Sequence, residues 1–448
     1  REIKNVAGSM GVWPPLGLLY LGAALKEHEF EVELLDVQQR ALDSAAARRE
    51  IVRSAADLVG ITCTTPEIRG VLEAARFAHE TGAPVVLGGA HCDIFPEETL
   101  SHPEVDFVIR GDGEVPLVKL VKTMAGSNPD FSTVPGLVYR ENGNIRKNDT
   151  YVETGLHQLS YPDWDLVPAR AYSRADVLQP LATMISGRGC PYRCGFCYRG
   201  TAGSTVRLRD PVSVVDEMEY LGKTRGIREI VFCNDTLTCR RDHIMTISEE
   251  LVKRDMGLVW QGATRVDTID REMLSLMRRS GCKQLKFGVE SGCGEILSLM
   301  KKGITKDQIR ETFRWCKREK VRIGAYFILG YVDDTAKTLQ ETIDFAIEID
   351  PDFVMFYAGV PLPETDFHTL AVERGKLDPE YWREYTLGRR DDKVPYMVLN
   401  LDRWVKRAFR QFYGRPAYLV KKMMSPGMWL SVFRKPGLVL RLFFPKNT

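Results

Sequence analysis

Short apolar runs alternate with amphipathic stretches of helical period over most of this chain, and this alternation limits the folds that it can adopt. Strands that alternate with helices favour a parallel sheet covered by helices. In the second half of the chain the apolar runs lie at residues 181–186, 229–233, 258–261, 284–289, 321–329 and 353–358. Six such units predict a partial (β/α)6 barrel, in which functional residues lie at the carboxyl ends of the strands.

A similar pattern precedes the predicted barrel. Strands are predicted at residues 31–35, 58–63, 85–88 and 105–110, and helices at residues 16–26 and 69–80. This arrangement predicts a doubly wound parallel sheet, whose ligands bind at the carboxyl ends of the strands. The usual first strand of such a sheet lies either before Arg1 or at residues 3–7, and both options stay open.

The whole chain is therefore predicted to be an α/β protein with four parts. We expect an N-terminal doubly wound domain at residues 1–125 and a small β-containing linker at residues 126–178. The partial barrel is expected at residues 179–370, followed by a helical C-terminal region at residues 371–448. A chain of 448 residues is long enough for several domains with stable cores.

Charge and hydropathy exclude some classes of function. The formal net charge of +2 predicts no general attraction to nucleic acid. No run of about 18 uncharged apolar residues is present and no secretory signal begins the sequence, so we expect a cytoplasmic protein. Without a secretory signal, ten cysteines indicate metal ligands and buried thiols rather than disulfides.

The end of the chain has a different composition from the rest. From Arg403 to Thr448 it contains eleven Lys or Arg and no Asp or Glu, interleaved with aromatic residues and methionines. Four prolines interrupt this segment, so it is too broken to span a bilayer. Two interpretations stay open: contact with an anionic membrane surface or a lipophilic substrate, and a helical cap that packs on the barrel.

Three closely spaced cysteines, Cys190, Cys194 and Cys197, follow the first predicted barrel strand. A structural zinc site would need a fourth Cys or His at short range, yet the nearest histidines are His157 and His243. Three thiolates on a [4Fe–4S] cluster leave one iron open to a cofactor or substrate. We therefore predict that these cysteines hold such a cluster and are the catalytic metal ligands.

This Cys-x3-Cys-x2-Cys spacing, with Phe196 before the last cysteine, resembles the signature of the radical S-adenosylmethionine superfamily. Gly288-Val-Glu-Ser291 and Pro361-Leu-Pro-Glu-Thr365, after later strands, strengthen the resemblance. The N-terminal region, with LGGAH at residues 87–91 and RGDGE at residues 110–114, looks like the cobalamin-binding domain of one large subgroup. That subgroup includes methylases and an anaerobic magnesium-protoporphyrin ester cyclase.

The resemblance implies that S-adenosylmethionine binds the open iron and is cleaved when a flavodoxin- or ferredoxin-type donor reduces the cluster. It also implies contacts to this cofactor from residues at the strand ends. These are Phe196, Asn234, Asp235, Arg265, Glu290 and Ser291. A structural interpretation stays open for several of them, because Asp235 could cap a helix, Arg265 could pair with Asp267, and Glu290 could hold a loop.

The resemblance further implies that cobalamin binds the loops of the N-terminal sheet. The candidate residues are Thr62, Thr65, Gly88, Gly89, His91, Gly111 and Gly113, and the glycines would allow the corrin to approach the backbone. No Asp-x-His-x-x-Gly stretch supplies an imidazole ligand, because Asp36 is followed by Val-Gln-Gln, so we expect binding without histidine. A domain that keeps the fold without the cofactor is the alternative.

Taken together, these features predict a cobalamin-dependent radical enzyme that methylates an unactivated centre of a small, lipophilic or natural-product substrate. Radical cyclisation or carbon–carbon coupling on a porphyrin- or lipid-like substrate is the alternative from the same scaffold. A non-catalytic iron–sulfur sensor is the alternative from another class. The remaining cysteines are predicted to be mostly buried thiols; they are Cys63, Cys92, Cys233, Cys239, Cys282, Cys293 and Cys316.

Overall fold

The computed structural model describes residues 12–168, 172, 177–390, 392–393 and 395–423 of the chain. The predicted first strand at residues 3–7 and the tail at residues 424–448 lie outside the described residues. The described part is an α/β protein with two separate, mainly parallel sheets, an arrangement that confirms the predicted fold class.

The N-terminal sheet has five strands within the described residues, in the order β1-β2-β3-β4-β5. The first three are parallel, and the last two form an antiparallel hairpin on β3. The predicted linker therefore contributes two strands to this sheet. The strands are β1 Val59–Thr62, β2 Val85–Gly88, β3 Phe107–Ile109, β4 Leu137–Glu141 and β5 Asn144–Lys147.

The strand predicted at residues 31–35 is wrong. This segment alternates half-buried and exposed side chains over Glu31, Val32, Glu33 and Leu34, as a strand does, but it has no regular secondary structure. The reason is that β1 forms the edge of the described sheet and no described strand pairs with the segment. An alternating pattern indicates an extended chain with one buried face. It does not show whether another strand lies beside that chain to form hydrogen bonds with it.

Six helices cover the N-terminal sheet or join its strands within the described residues. Asp43 begins the second helix because its carboxylate accepts the N–H of Ala46. The third buries Val71, Leu72 and Ala75. The helices are α1 Leu16–Lys26, α2 Ser44–Ser54, α3 Ile68–His79, α4 Ala90–Ile94, α5 Pro96–Leu100 and α6 Glu114–Met124.

The second sheet is the predicted partial barrel. Its six described strands are all parallel and run in the order β13-β12-β11-β10-β9-β6. Five of them follow each other along the chain as neighbours, as repeated β/α units require. The strands are β6 Leu181–Met184, β9 Glu229–Phe232, β10 Val259–Thr264, β11 Cys282–Glu290, β12 Arg322–Leu329 and β13 Phe353–Ala358.

The barrel helices begin at polar caps that the sequence carries. Asp210 and Asp270 each accept a backbone N–H at a helix start, and Thr305 and Thr335 form capping boxes. The outward faces of the strands and the inward faces of these helices share one apolar core. The helices are α7 Pro211–Arg225, α8 Arg241–Arg254, α9 Arg271–Arg279, α10 Gly294–Leu299, α11 Lys306–Arg318 and α12 Ala336–Ile349.

A short antiparallel hairpin, β7 Gly187–Arg188 with β8 Arg207–Leu208, stands apart from both sheets. It follows β6, and the segment between its strands contains the three cysteines. The sequence analysis did not predict this hairpin, because two-residue strands leave no periodic pattern.

The C-terminal region is helical as far as the structure describes it. Its aromatic side chains face the barrel: the Tyr413 hydroxyl donates to the carbonyl of Val354 at 2.8 Å, and Phe409 packs edge-on against Phe356. The cap interpretation is therefore correct for residues 401–423. The helices are α13 Asp366–Glu373, α14 Tyr381–Thr386, α15 Leu401–Tyr413 and α16 Pro416–Met423.

Among the described residues, no helix combines the length and the apolar composition needed to cross a bilayer.

Candidate functional site

The cysteine segment is a loop whose shape is fixed by backbone contacts. Gly189, just after β7, has φ +92°, and a Cβ there would lie 2.1 Å from the carbonyl oxygen of Thr205, so only glycine fits. The Gly189 N–H donates to the Asp235 carboxylate at 2.9 Å. Farther along, the Gly195 N–H donates to Met300, and the Gly195 carbonyl accepts from the Phe367 N–H. The loop is thereby anchored to three different barrel loops.

The three thiols of this loop are free of disulfides. Cys190 and Cys194 are half-buried, whereas Cys197 is exposed. Cys190 Sγ lies 3.3 Å from the Thr236 hydroxyl, and Cys194 Sγ accepts from Arg265 Nη1 at 3.4 Å. The loop supplies three free thiols, the ligand type of an iron–sulfur cluster, and one of them lies next to a cation, although within the described residues no three His, Cys, Asp or Glu side chains are already gathered as a metal site.

Desolvation of the sulfur atoms changes the acidity of Cys194 and Cys197, even though Cys197 as a residue is exposed. Desolvation, followed by the neighbouring cysteines, raises the pKa of the Cys197 thiol to about 11, and burial also raises the pKa of Cys194. In the iron-free chain both therefore hold their protons at neutral pH. Iron must displace those protons when it binds, so assembly of the cluster is expected to release protons.

Arg265 lies against the cysteine loop rather than on the surface. Its guanidinium stacks over the Tyr192 ring at 3.8 Å, and Nε and Nη2 each bind an oxygen of Asp267 at 2.8 Å. Nη2 also donates to the carbonyl of Lys302 at 2.6 Å. The pair with Asp267 thus exists, but Arg265 is only 4% exposed. These contacts aim Nη1 at the Cys194 sulfur.

Glu290 ends β11 in the left-handed region, with φ +68°. Its carboxylate folds back over Gly288, where a Cβ would lie 2.2 Å from Glu290 Oε1. There it pairs with Lys302 Nζ at 2.8 Å, and both side chains are less than a tenth exposed. Lys302 Nζ also lies 5.7 Å from the centre of the Phe196 ring. Glu290, Lys302 and Phe196 therefore form one group beside the cysteine loop.

Lys302 was missed by the sequence analysis. It reaches the site only because α10 and the turn after it pack the chain back against β11, and nothing in its local sequence distinguishes it from the neighbouring Lys301, which pairs with Asp366 on the surface. Tyr192 was missed for the same reason, since its role depends on the stacked Arg265.

Ser291 and Asn234 make structural contacts. The Ser291 hydroxyl lies 3.0 Å from the Thr342 hydroxyl and accepts the N–H of Cys293 at 3.1 Å. The Asn234 amide accepts from the Ser186 N–H and donates to the Ser186 hydroxyl. Both side chains hold the loops that surround the site, and their direct contact with a cofactor stays a prediction.

At the carboxyl edge of the N-terminal sheet, the predicted residues divide into exposed and buried ones. Thr62 and Gly89 are exposed. Gly89 has φ +98°, and a Cβ there would meet the Cys63 carbonyl oxygen at 2.8 Å, so the two loops approach closely. Gly88 has more room, since its nearest contact to a Cβ would be the Ile109 carbonyl at 3.8 Å.

His91 and Thr65 lie beneath this edge. His91 is fully buried, and its Nδ1 is 3.1 Å from the Thr65 hydroxyl. Burial lowers the pKa of His91 to about 4, so the ring is neutral near pH 7. The His91 ring therefore packs under the loop that contains Thr65, and its nitrogens do not reach the surface where a corrin would bind.

Gly111 is required by the packing of the protein itself, whereas Gly113 only lies close to a leucine side chain. A Cβ on Gly111, whose φ is +87°, would lie 1.9 Å from the carbonyl oxygen of Tyr151. A Cβ on Gly113 would lie 3.1 Å from Leu21. We expected these glycines to let a corrin approach, which stays a prediction; the structure adds a separate reason for Gly111.

The residues between and beside these two glycines connect the N-terminal sheet to the cysteine loop. Asp112 binds Arg188 of β7 and Arg207 of β8, and Glu114 also binds Arg188. We call Asp112, Glu114, Arg188 and Arg207 the interdomain clamp. Near it, burial and the charges of Asp93 and Glu364 raise the pKa of Tyr198, the residue after the last cysteine. The interdomain clamp therefore joins the segment after β3 to the hairpin that encloses the cysteine loop.

The other cysteines do not form a second site in the structure. Cys63, Cys92, Cys282, Cys293 and Cys316 are buried, as predicted. Cys233 is exposed and Cys239 is half-buried, so the expectation of a buried thiol is wrong for Cys233. It follows β9 directly, at the carboxyl end of the strand, where the chain leaves the core.

Two family models match the sequence. Residues 4–121 match the B12 binding domain, and residues 184–346 match the radical SAM superfamily. The first covers the N-terminal sheet up to α6, and the second covers the barrel from the end of β6 into α12, including all three cysteines of the loop.

Curated relatives span nearly the whole chain. An uncharacterized methyltransferase of Pyrococcus horikoshii is 30% identical over 94% of this chain and 92% of its own length. An anaerobic magnesium-protoporphyrin IX monomethyl ester cyclase of Rubrivivax gelatinosus is also 30% identical, over 91% of this chain and 75% of its own length.

Among solved structures, the radical S-adenosylmethionine methyltransferase TsrM of Kitasatospora setae, with tryptophan and an analogue of S-adenosylmethionine, has a similar fold. The TM-score is 0.71 at 22% identity, and the match covers 90% of this chain and 86% of TsrM. This similarity extends the family match from the two domains to their arrangement in one fold.

Proposed function

Because this chain belongs to the radical S-adenosylmethionine superfamily, in the group with an N-terminal B12-binding domain, we propose that it is a cobalamin-dependent methyltransferase. The observation that carries the proposal is that the interdomain clamp joins the segment after β3 of the N-terminal sheet to the hairpin that encloses the cysteine loop. A methylase that uses two cofactors needs both of them to reach one substrate. The substrate is proposed to be a small molecule.

The residues divide into three proposed roles. Cys190, Cys194 and Cys197 hold the cluster, and Phe196 and Glu290 border the S-adenosylmethionine site together with Lys302. When bound, the cluster supplies the electron that cleaves S-adenosylmethionine, and the corrin supplies the methyl group. The protein's own part is to hold the loop, exclude water and fix the orientation of the cofactors.

For cobalamin, the exposed Thr62 and Gly89 are proposed to contact the corrin, while Thr65 and His91 support them from below. Gly88, Gly111 and Gly113 shape the same edge. Asn234, Asp235 and Ser291 are proposed to act mainly through the loops that they hold. Because β4 and β5 belong to the N-terminal sheet, the domain limit predicted at residue 125 moves beyond Lys147, whereas those at residues 178 and 370 are proposed as predicted.

Radical cyclisation is a second candidate, favoured by the identity with the Rubrivivax gelatinosus cyclase. The two reactions differ in the fate of the methyl group of S-adenosylmethionine. With a methyl-labelled cofactor, a methyltransferase delivers the label to its product, whereas a cyclase does not.

We also propose that the substrate is lipophilic and that a cytoplasmic enzyme contacts membranes through its basic end. Supporting this, α15 exposes Arg403, Lys406, Arg407 and Arg410 on one side while its aromatic residues pack inward. Cosedimentation with anionic liposomes tests the proposal, since a chain in which Arg403, Arg407 and Arg410 are replaced by Ser should bind them less well than the wild-type chain, and equal binding would refute it.

The proposed chemistry is tested by Cys194→Ala, with Cys233→Ala as the matched control. Loss of one thiolate should prevent cluster assembly, so we expect no 5′-deoxyadenosine from S-adenosylmethionine under reducing conditions. The control removes an exposed thiol outside the loop and should cleave the cofactor as the wild-type protein does. Cofactor cleavage by the Cys194 variant would refute the proposal.

A further inference from the structure

We infer that the interdomain clamp sets the distance between the corrin and the iron–sulfur cluster. The inference rests on the proposed function, because it requires a corrin on the N-terminal sheet. Asp112, Glu114, Arg188 and Arg207 are positioning residues in this view, and none of them is proposed to touch a reacting atom.

The clamp is a fork of charged hydrogen bonds between two loops. Arg188 Nη1 binds Asp112 Oδ1 at 2.6 Å and Glu114 Oε2 at 3.3 Å, and Arg188 Nη2 binds Glu114 Oε1 at 2.5 Å. The other oxygen of Asp112 accepts from Arg207 Nη1 and from the Glu153 N–H. The Arg188 guanidinium is thus held by two carboxylates, and the Asp112 carboxylate is held by two guanidinium groups. Such paired hydrogen bonds fix the orientation of the two loops as well as the distance between them.

Few residues separate the interdomain clamp from the proposed cofactor site on either side. On the barrel side, Arg188 is two residues before Cys190, and Arg207 lies opposite it in the hairpin that closes the cysteine loop. On the N-terminal side, Asp112 stands between Gly111 and Gly113, at the end of β3. Few rotatable bonds therefore separate the two proposed cofactor sites.

The clamp is also protected from solvent. The side chains of Arg188, Asp112 and Arg207 are 18%, 14% and 10% exposed. The Tyr20 ring covers Arg188, with its centre 5.5 Å from the guanidinium carbon. Burial by itself would raise the pKa of Asp112, but Arg188 and Arg207 hold it below its ordinary value, so the carboxylate stays charged.

A role in positioning explains why these residues are charged. Buried ion pairs add little stability compared with apolar residues of similar size, whereas their directional hydrogen bonds select one arrangement. Apolar contacts elsewhere already join the two halves of the molecule, for example Phe95 and Phe196 in one shared cluster. The interdomain clamp adds one defined orientation of the N-terminal sheet relative to the cysteine loop.

The test is a distance measurement between cob(II)alamin and the reduced cluster by pulsed electron paramagnetic resonance. It compares the anaerobically reconstituted wild-type protein with Asp112→Asn and Arg188→Met. We expect one narrow distance distribution in the wild-type protein and a broader one in both variants. A third variant, Arg188→Lys, should give a distribution of intermediate width, because lysine keeps the positive charge but cannot bind two carboxylates with a planar guanidinium. The control is Arg241→Met, because Arg241 also joins two carboxylates, Asp270 and Glu272, but on the exposed barrel surface.

The possible results separate the inference from the function on which it rests. A wild-type distribution in Asp112→Asn, with cluster and corrin both bound, would overturn the inference and leave the proposed function intact. A wild-type protein that takes up the cluster but no corrin would overturn both. If Arg188→Met fails to fold, the near-isosteric Asp112→Asn decides, since it keeps the size of the side chain while removing the negative charge and replacing one acceptor oxygen by an NH2 group.

Discussion

The contact between Arg265 and Cys194 gives one residue an unexpected role. From the sequence, Arg265 was predicted to contact S-adenosylmethionine, where the position after the third barrel strand suits its carboxylate group. In the structure its Nη1 donates to the Cys194 sulfur. The other guanidinium nitrogens donate to Asp267 and to the Lys302 carbonyl, and the face of the group stacks on Tyr192. Hydrogen bonds and positive charge near cluster sulfurs stabilise the reduced, more negative state.

Replacing Arg265 by Met should therefore lower the reduction potential of the cluster while three cysteines still hold it. A redox titration followed by electron paramagnetic resonance measures this change, and binding of S-adenosylmethionine to the variant is measured in parallel. An unchanged potential combined with affinity weakened at least about tenfold, or about 1.4 kcal/mol, would instead support the carboxylate contact.

At the scale of elements, the sequence predicted most of the architecture. The apolar runs located β2 and β13 at their observed limits because consecutive residues of these strands are buried on both faces, and α1 was located at its limits because it buries one side. The pattern failed at residues 31–35, where an extended segment has no described partner strand. Local periodicity reports burial, whereas pairing depends on distant parts of the chain.

The same limit applies to the site. The cysteines were identified because three ligands lie within one short stretch of sequence. Lys302 and the interdomain clamp were missed because each unites residues far apart in the chain: Arg188 and Asp112 are 76 residues apart. Gly111 and Gly113 were predicted to lie at the cobalamin site, which stays a prediction; the structure adds that Gly111 has no room for a side chain beside Tyr151.

The hairpin that closes the cysteine loop gives a prediction at the same scale. Gly189→Ala places a Cβ against the Thr205 carbonyl at 2.1 Å, so β7 and β8 can no longer close and the iron content should fall. Gly200→Ala is the matched control: Gly200 lies in the same loop at φ +64°, and nothing lies within 4 Å of its Cβ position. Iron and sulfide analysis compares them. Equal iron content in both variants would show that closure of the hairpin is not needed for the cluster.

At the scale of the whole molecule, contacts in several different places join the N-terminal domain to the rest, among them the apolar cluster that contains Phe95 and Phe196. The interdomain clamp connects it to the cysteine loop. The C-terminal helix α14 makes two further contacts with it. Arg383 of α14 pairs with Glu98 of α5 at 2.9 Å, and the carbonyl of Thr386 in α14 lies 2.8 Å from His102 Nε2 of the N-terminal domain. The chain thus returns from the barrel to the domain where it began, which holds the two proposed cofactor sites together.

The most direct test of the account is the cofactor content of the wild-type protein, purified without oxygen from cells supplied with hydroxocobalamin. Iron and sulfide analysis and a visible spectrum measure the cluster and the corrin in one sample. The account predicts about four irons per chain and about one corrin per chain, because the cysteine loop and the N-terminal edge are each proposed to hold one cofactor. About four irons with no corrin would contradict a cobalamin-dependent methyltransferase and favour cyclisation.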